Sequence, residues 1–224
     1  MKKILGKPNE INKTLISLIE KVKINDFYLK NSEDFRDQIL KDIKSQDDVL
    51  DIGKAMRDKY EKINCNSVET LDVNDFGSYP DIVCDICSDI TGLENKYDKI
   101  ICIAILEHVY NPFDAVKNLF KMLKPDGLIY GYVPYLYHYH APKDLKFQDY
   151  FRFSKDALAY LFKDFNEVEL FPVRGRVSTP FSLLFAGRWK KYIEKTGINI
   201  LLDKMSNDEN NIKQCSGFYF VLKK

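Results

Sequence analysis

The sequence has little that would tie it to a long polyanion, a bilayer or an oxidising compartment. Lysine and arginine total 34 against 33 aspartates and glutamates, a formal net charge of +1. No broad field of one sign is available to hold nucleic acid or an anionic membrane, and nucleic acid is not an expected partner. No apolar run approaches the roughly 18 residues that would argue for a membrane span. The most apolar late stretch, Pro180 to Trp189, is far too short. Basic Met1-Lys2-Lys3 is followed by no continuous apolar segment, so no secretory signal is expected. Cysteine is sparse and odd in number, five without scaffold spacing. That suits a reducing cytoplasm better than a disulfide framework. Cys84 and Cys87 form a C-x-x-C pair, but no second pair follows and the flanking pattern is that of a buried strand. Cysteine as a small strand hydrophobe is the better reading. Internal repeats and low-complexity domains are also lacking.

What is present is enough apolar material for a core, 45% hydrophobic and 13% aromatic residues in a chain of 224. That length fits one domain with an added arm. Residues 1–46 read as a helical arm. Ile11, Leu15, Leu18, Ile19 and Val22 recur at three- and four-residue steps, and Phe35, Ile39, Leu40 and Ile43 follow Ser32, a helix-capping residue. From Asp48 the pattern changes to short apolar runs. Val49 to Gly53, Val68 to Val73, Asp81 to Ile86, Lys99 to Ala104 and Leu128 to Val133 read as strands. Phe113 to Leu123 has helical spacing and is broken by Lys124-Pro125-Asp126-Gly127. Ser154 to Phe162 is a further helix capped by Ser154, and Val168 to Val173 and Phe218 to Leu222 close the set. The alternation predicts an α/β fold, a mostly parallel seven-stranded Rossmann-like sheet with helices on both faces. Its domain covers 47–224, with an insertion at about 174–214 before the last strand.

Four stretches carry a resemblance. They are Val49-Leu50-Asp51-Ile52-Gly53, Asp72 about twenty residues on, Tyr97 to Ile100 running into Leu106-Glu107-His108-Val109, and Leu123-Lys124-Pro125-Asp126-Gly127. In this order and at these intervals the chain resembles class I S-adenosylmethionine-dependent methyltransferases over roughly Asp48 to Phe165. Pro134 to His140 and Asp149 to Ser154 are similar to bacterial methyltransferases found among cell-surface polysaccharide genes. The resemblance implies S-adenosylmethionine as cofactor, and the physics of open parallel sheets places ligands at the same strand ends. Asp72 would accept the ribose hydroxyls. Asp85 and Ile86 would meet the adenine amino group and ring face. Asp51 would orient the loop at Gly53 or approach the cofactor amino group through water. Carbonyls near Ile103 and Ala104 would receive the methionine ammonium, and His108 would shape the pocket.

Methyl transfer needs an acceptor atom in line with the methyl group, and a hydroxyl acceptor needs a base for its proton. The three histidines, His108, His138 and His140, all follow the fourth or fifth domain strand, on the expected ligand side. His140 is the preferred base and His138 the second candidate. His138 and His140 with Asp149 could instead hold a divalent metal, but without a third clear ligand no metal site is assigned. Arg152 could clamp an anionic group of the acceptor or pair with Asp149 to fix the loop. Tyr135 and Tyr150, with Tyr137 and Tyr139, could stack on a sugar ring or simply roof the pocket. The expected acceptor is a small molecule or glycan intermediate, methylated at oxygen.

One departure stands out. After Gly53 comes Lys54-Ala55-Met56-Arg57 where this family usually continues with small residues. That motivates an alternative, a methyltransferase-like fold retained as a non-catalytic binding or assembly protein. A nicotinamide dehydrogenase fits less well, because no G-x-G-x-x-G is present to seat a pyrophosphate. Phe181, Leu183, Leu184, Phe185 and Trp189 in the insertion could form a lid or a dimer contact, which leaves homodimerisation open.

Overall fold

In the central strands every second residue is apolar on each side, so both faces of the sheet demand cover. Ile100 and Cys102 belong to one buried cluster, and Ile101 between them to another. Ile129 and Val133 repeat the division against Tyr130, as do Phe218 and Phe220 against Tyr219. A computed structural model of the chain describes residues 8–25, 32–142, 147–184, 196–205 and 210–224. Phe185, Trp189 and most of the polar run after Met205 lie outside these described residues.

The elements run α1 (Pro8–Glu20), β1 (Lys23–Ile24), α2 (Ser32–Asp42), β2 (Asp48–Ile52), a 3-10 turn (Arg57–Lys62), β3 (Ser67–Asp72), β4 (Ile82–Val83), β5 (Tyr97–Ile103), α3 (Pro112–Met122), β6 (Leu123–Pro134), α4 (Lys155–Leu161), β7 (Glu167–Val173), α5 (Ser178–Leu184), α6 (Ile198–Met205), α7 (Asn210–Lys213) and β8 (Gly217–Lys223). They form one sheet in the order β1-β7-β8-β6-β5-β2-β3-β4, parallel except where β8 runs against β6 and β7. All seven expected strands are present, but the one expected over Asp81 to Ile86 is shortened to Ile82–Val83, and Cys84, Asp85 and Ile86 follow it in a loop. An eighth, two-residue strand comes from the arm and pairs in parallel with the edge of β7.

One face is covered by α3 and α4 through Val116, Leu119, Met122, Leu158 and Phe162. Each of these helices begins at a side-chain cap: Asn111 accepts from the Asp114 amide, and Ser154 from the Ala157 amide. The other face is covered by α2, whose Phe35, Ile39 and Ile43 pack on Val49, Ile101, Tyr130 and Tyr219. Helix α1 packs against α4. Of its expected apolar stripe, Leu15 stays exposed, and the Ile11 side chain lies outside the described residues. At Gly131 a Cβ would come within 2.0 Å of the Phe220 ring, so the absence of a side chain lets the aromatic lie flat on β6.

The Lys124-Pro125-Asp126-Gly127 break behaves differently from expectation. The helix ends at Met122, but the strand starts at once with Leu123 pairing Tyr97, and an irregularity separates that pair from Lys99 opposite Leu128. Lys124 thereby reaches the amino ends of β2 and β5, with Nζ 2.7 Å from both Asp48 Oδ2 and Asp98 Oδ2. Lys124, aided by Asn66 and Ser67, holds the Asp48 carboxyl down at about 2, against an ordinary 3.8. A carboxyl depressed by folding contributes stability that is complete above its unfolded value and is lost as pH falls towards the folded one. Resistance to urea should therefore fall as pH drops from about 4 to about 2, and Lys124→Met should flatten that acid dependence while lowering the midpoint at neutral pH. Circular dichroism across the pH series checks both.

Candidate functional site

The parallel register brings the carboxyl ends of β2, β3, β4 and β5 to one edge. Ile52 lies opposite Leu71, Asp72 opposite Val83, and Asp51 opposite both Thr70 and Ile101. Strand order reverses at β2: β3 and β4 lie on one side of it, and β5 and β6 on the other. The crevice at such a reversal is where open α/β sheets bind ligands. Gly53 and Ala104 leave the sheet there, both with left-handed backbone, φ 70° and 57°. A Cβ on Gly53 would sit 2.4 Å from Ile105 Cδ1, so only glycine lets the two loops meet. The amide of Gly53 donates to Leu71 O at 2.9 Å and that of Ala104 to Tyr132 O at 2.9 Å.

Asp51 is fully buried and organises the first loop. Its carboxylate accepts the amides of Ala55 (3.0 Å) and Met56 (2.9 Å) and the hydroxyl of Tyr60. Burial pushes its pKa up to about 6, partly offset by these bonds. Of its two expected tasks, orienting the loop is the one the structure displays. The arm helix joins in: Arg36 Nε donates to Ala55 O at 2.9 Å, and Lys59 pairs with Asp37 at 2.6 Å. Neither contact was expected, because nothing in the local pattern of α2 marks Arg36 as an inward-facing residue.

Asp72 ends β3 half-buried. One oxygen accepts the Asn74 amide at 3.0 Å, and the other accepts a long bond, 3.3 Å, from the Tyr79 hydroxyl. Burial and then the Asp72 charge push the Tyr79 phenol up. The Lys54 ammonium lies 5.3 Å from the centroid of that same ring, while the Arg57 side chain lies outside the described residues. Asp85 accepts the Cys87 amide (2.9 Å), the Tyr110 hydroxyl (3.0 Å) and Ser88 Oγ (3.2 Å). Ile86, expected against a ring face, is buried at 5% exposure within the core cluster beneath α3. Ile103 is half-buried at the last position of β5.

The segment after Ala104 meets the loop after β6. The Glu107 carbonyl accepts the amides of Tyr150 (2.8 Å) and Phe151 (3.2 Å), which ties the two loops together. His108 and His140 come together with Nε2 atoms 3.1 Å apart, each 3.8 Å from Glu107 Oε1. Glu107 is fully buried, and neither carboxylate oxygen has a hydrogen-bond partner among the described residues. Burial pushes its pKa up to about 8 and lowers that of His108. Glu107 was missed at the sequence level; the available signal was a carboxylate beside a histidine in an otherwise apolar turn.

His138 is exposed, with its ring stacked on Tyr137 at 4.2 Å and edge-on to the His140 ring at 6.3 Å, and its ring nitrogens do not join the cluster. His138, His140 and Asp149 are therefore not gathered as ligands. Asp149 is instead gripped by Arg152 through both guanidinium ends, one bond measuring 2.6 Å, which holds its carboxyl at about 2. Arg152 also donates to the carbonyls of Tyr137, His138 and Phe151. Of the two roles open to Arg152, it fills the loop-fixing one, and its fork is turned inward. Tyr150 is half-exposed, its hydroxyl 3.1 Å from Gln148 Oε1, and Tyr135 is partly buried against the core. All five cysteines are free thiols, Cys84 and Cys87 included. Among the described residues no helix is long and apolar enough to cross a membrane.

A family model described as a methyltransferase domain matches residues 25–166. No protein of curated function matches the sequence. Among solved structures the chain is similar to phosphoethanolamine N-methyltransferase 2 of Haemonchus contortus in complex with S-adenosyl-L-methionine (TM-score 0.51, 13% identity, 84% of this chain and 50% of that one). It is likewise similar to a SAM-dependent methyltransferase of Archaeoglobus fulgidus (TM-score 0.52, 12% identity, 98% and 95% covered). The cyclase SpnF gives TM-score 0.53 at 12% identity, with 98% and 94% covered. The chain spans half the length of the Haemonchus enzyme. At these identities the likeness shows the fold, and a cyclase on that fold shows that the fold alone does not name a reaction.

Removing Asp51 leaves two buried amides and a phenol without their acceptor, each loss costing about 1 kcal/mol or more. Asp51→Ala should lower the unfolding free energy in urea by about 2–4 kcal/mol. Asp72→Ala, at a half-buried strand end, should change it by less than about 1 kcal/mol.

Proposed function

From the chain's membership of the methyltransferase-domain family, we propose that it transfers the methyl group of S-adenosylmethionine to a hydroxyl oxygen of a small-molecule or glycan-intermediate acceptor. The observation that carries this reading is the convergence at the β2–β5 reversal of the Gly53 loop, Asp72 and the Glu107–His108–His140 cluster. When bound, the cofactor supplies an electrophilic methyl group on a positively charged sulfur.

The residues present fit such a nucleoside. The Tyr79 bond to Asp72 is long enough to yield to a ribose hydroxyl, a better-placed donor to the same carboxylate. The carbonyls of Ile103 and Ala104, at the carboxyl end of β5, would serve as acceptors for the cofactor's ammonium group. A single glycine suffices in the first loop, since adenosylmethionine carries no phosphate to be cradled. For a hydroxyl acceptor, the Glu107–His108–His140 cluster would take up the proton that the hydroxyl gives up on methylation. His140, the most open of its three members, is the imidazole nearest the solvent side. Tyr150 and Tyr135 would flank the acceptor.

Lys54 favours a second reading, a non-catalytic assembly protein on this fold. Its backbone is left-handed at φ 56°, and its ammonium lies 5.3 Å from the ring centroid of Tyr79, whose hydroxyl bonds Asp72. Calorimetry separates the two. Adenosylmethionine and adenosylhomocysteine should both bind the wild-type chain, and Asp72→Ala should weaken binding at least ~10-fold, the equivalent of one charge-assisted hydrogen bond. No detectable heat with either ligand, from folded protein, would sink the enzyme reading. His140→Ala should keep cofactor binding while losing methyl transfer to hydroxylated acceptors, followed with methyl-labelled cofactor.

A further inference from the structure

The proton positions in the histidine cluster are fixed by what faces the far side of each ring. His108 Nδ1 lies 2.6 Å from the carbonyl oxygen of Gln148, which can only accept, so Nδ1 carries the hydrogen. His140 Nδ1 faces Asp149 Oδ2 at 3.2 Å and the His138 carbonyl at 3.4 Å, again acceptors only. With both neutral rings protonated at Nδ1, both Nε2 atoms are bare lone pairs; in the other His140 tautomer one Nε2 donates to the other. Yet they point at each other across 3.1 Å, with the unpartnered Glu107 carboxylate 3.8 Å from each. Two ring nitrogens and a carboxyl oxygen lie together, and neither Glu107 oxygen has a hydrogen-bond partner among the described residues. A cation at the centre, a proton or a metal ion, serves all three.

We propose that Glu107, His108 and His140 form a binding site for one divalent transition-metal ion. All three ligand atoms lie within 4.8 Å of one another. Ligands about 2.1 Å from an ion, at tetrahedral or right angles, stand about 3.0–3.4 Å apart. The imidazole pair already meets that spacing, and the carboxylate needs to close by only a few tenths of an ångström. Two imidazoles with one carboxylate suit zinc, iron(II) or manganese and leave coordination positions open. The outer contacts suit ligating histidines: His108 Nδ1 faces the Gln148 carbonyl, His140 Nδ1 the His138 carbonyl, and the His140 backbone amide donates to Asp149 at 2.8 Å. Asp149, clamped by Arg152, thereby acts as a positioning residue for His140. The role of the ion rests on the methyl-transfer reading: an acceptor hydroxyl bound at an open position would be acidified and held in place by the metal. In the loaded state His140 is a ligand, and its service as a free base ends.

The test uses the untagged full chain, stripped with chelator, desalted and titrated with zinc, manganese and cobalt chlorides by calorimetry, with cobalt also followed by visible absorption. One equivalent of ion should bind, and cobalt should develop the ligand-field bands of an imidazole-coordinated site. Glu107→Gln and His140→Ala should each weaken binding ~10–100-fold or more, with the wild-type circular dichroism spectrum retained, and His138→Ala should leave it unchanged. Failure of the wild-type chain to take up any of the three ions in one equivalent overturns the site and leaves a single proton shared between the rings. Loss on His138→Ala with none on Glu107→Gln overturns it equally. Adenosylhomocysteine titrated into the same stripped protein keeps the two readings apart: nucleoside binding without metal uptake removes only the metal site, and metal uptake without nucleoside binding removes only the methyl-transfer reading.

Discussion

The turn that ends β2 must place two backbone amides and a phenol in a space closed to water, and Asp51 is the acceptor that makes such a turn tolerable. An unmet amide in that position would cost more than a typical bond contributes. Because the loop is fixed by a carboxylate at the end of the central strand, its position follows the sheet and not the flexibility of the loop itself. Gly53 can then lie against Ile105, which brings the β2 and β5 loops together. The same interaction recruits α2, since Arg36 reaches the loop through the Ala55 carbonyl.

Much of the fold was legible because its strands are buried on both faces. Val49-Leu50 and Ile100 to Ile103 have no plausible existence as surface segments, and Ser154 marks the start of α4 by its own hydroxyl. Strand β1 was not legible: two residues at an edge, Lys23 and Ile24, have no period to display. The Lys124 to Gly127 segment contains turn residues, and only the pairing of Leu123 with Tyr97 reveals that they interrupt a strand already begun. The expectation took proline and glycine for an end where the sheet uses them as an irregularity.

For the site, what could be read were residues that lie at strand ends, since the sheet alone places them. What could not be read were residues whose meaning depends on a partner distant in sequence. His140 meets His108 across 32 positions, and Glu107 acquires significance only once both rings surround it. Arg152 is the converse case. A guanidinium in an acceptor loop invites an anion, but Asp149 three residues earlier satisfies it. Ile86 shows the limit of counting from a strand end, because Asn118 of α3 takes its carbonyl and the residue is drawn into the core.

The position of β8 bears on how the chain can assemble. It lies between β6 and β7, and β1 is joined to the sheet through β7. Until β8 has been synthesised, β7 and β1 have no docking edge on the nascent sheet, although both precede it in the chain. The portion from β2 to β6, which includes the strand-order reversal at β2, can pair strand by strand as it leaves the ribosome. Closure of the opposite flank must wait for the final hairpin-like insertion, and with it the burial of Phe218 and Phe220.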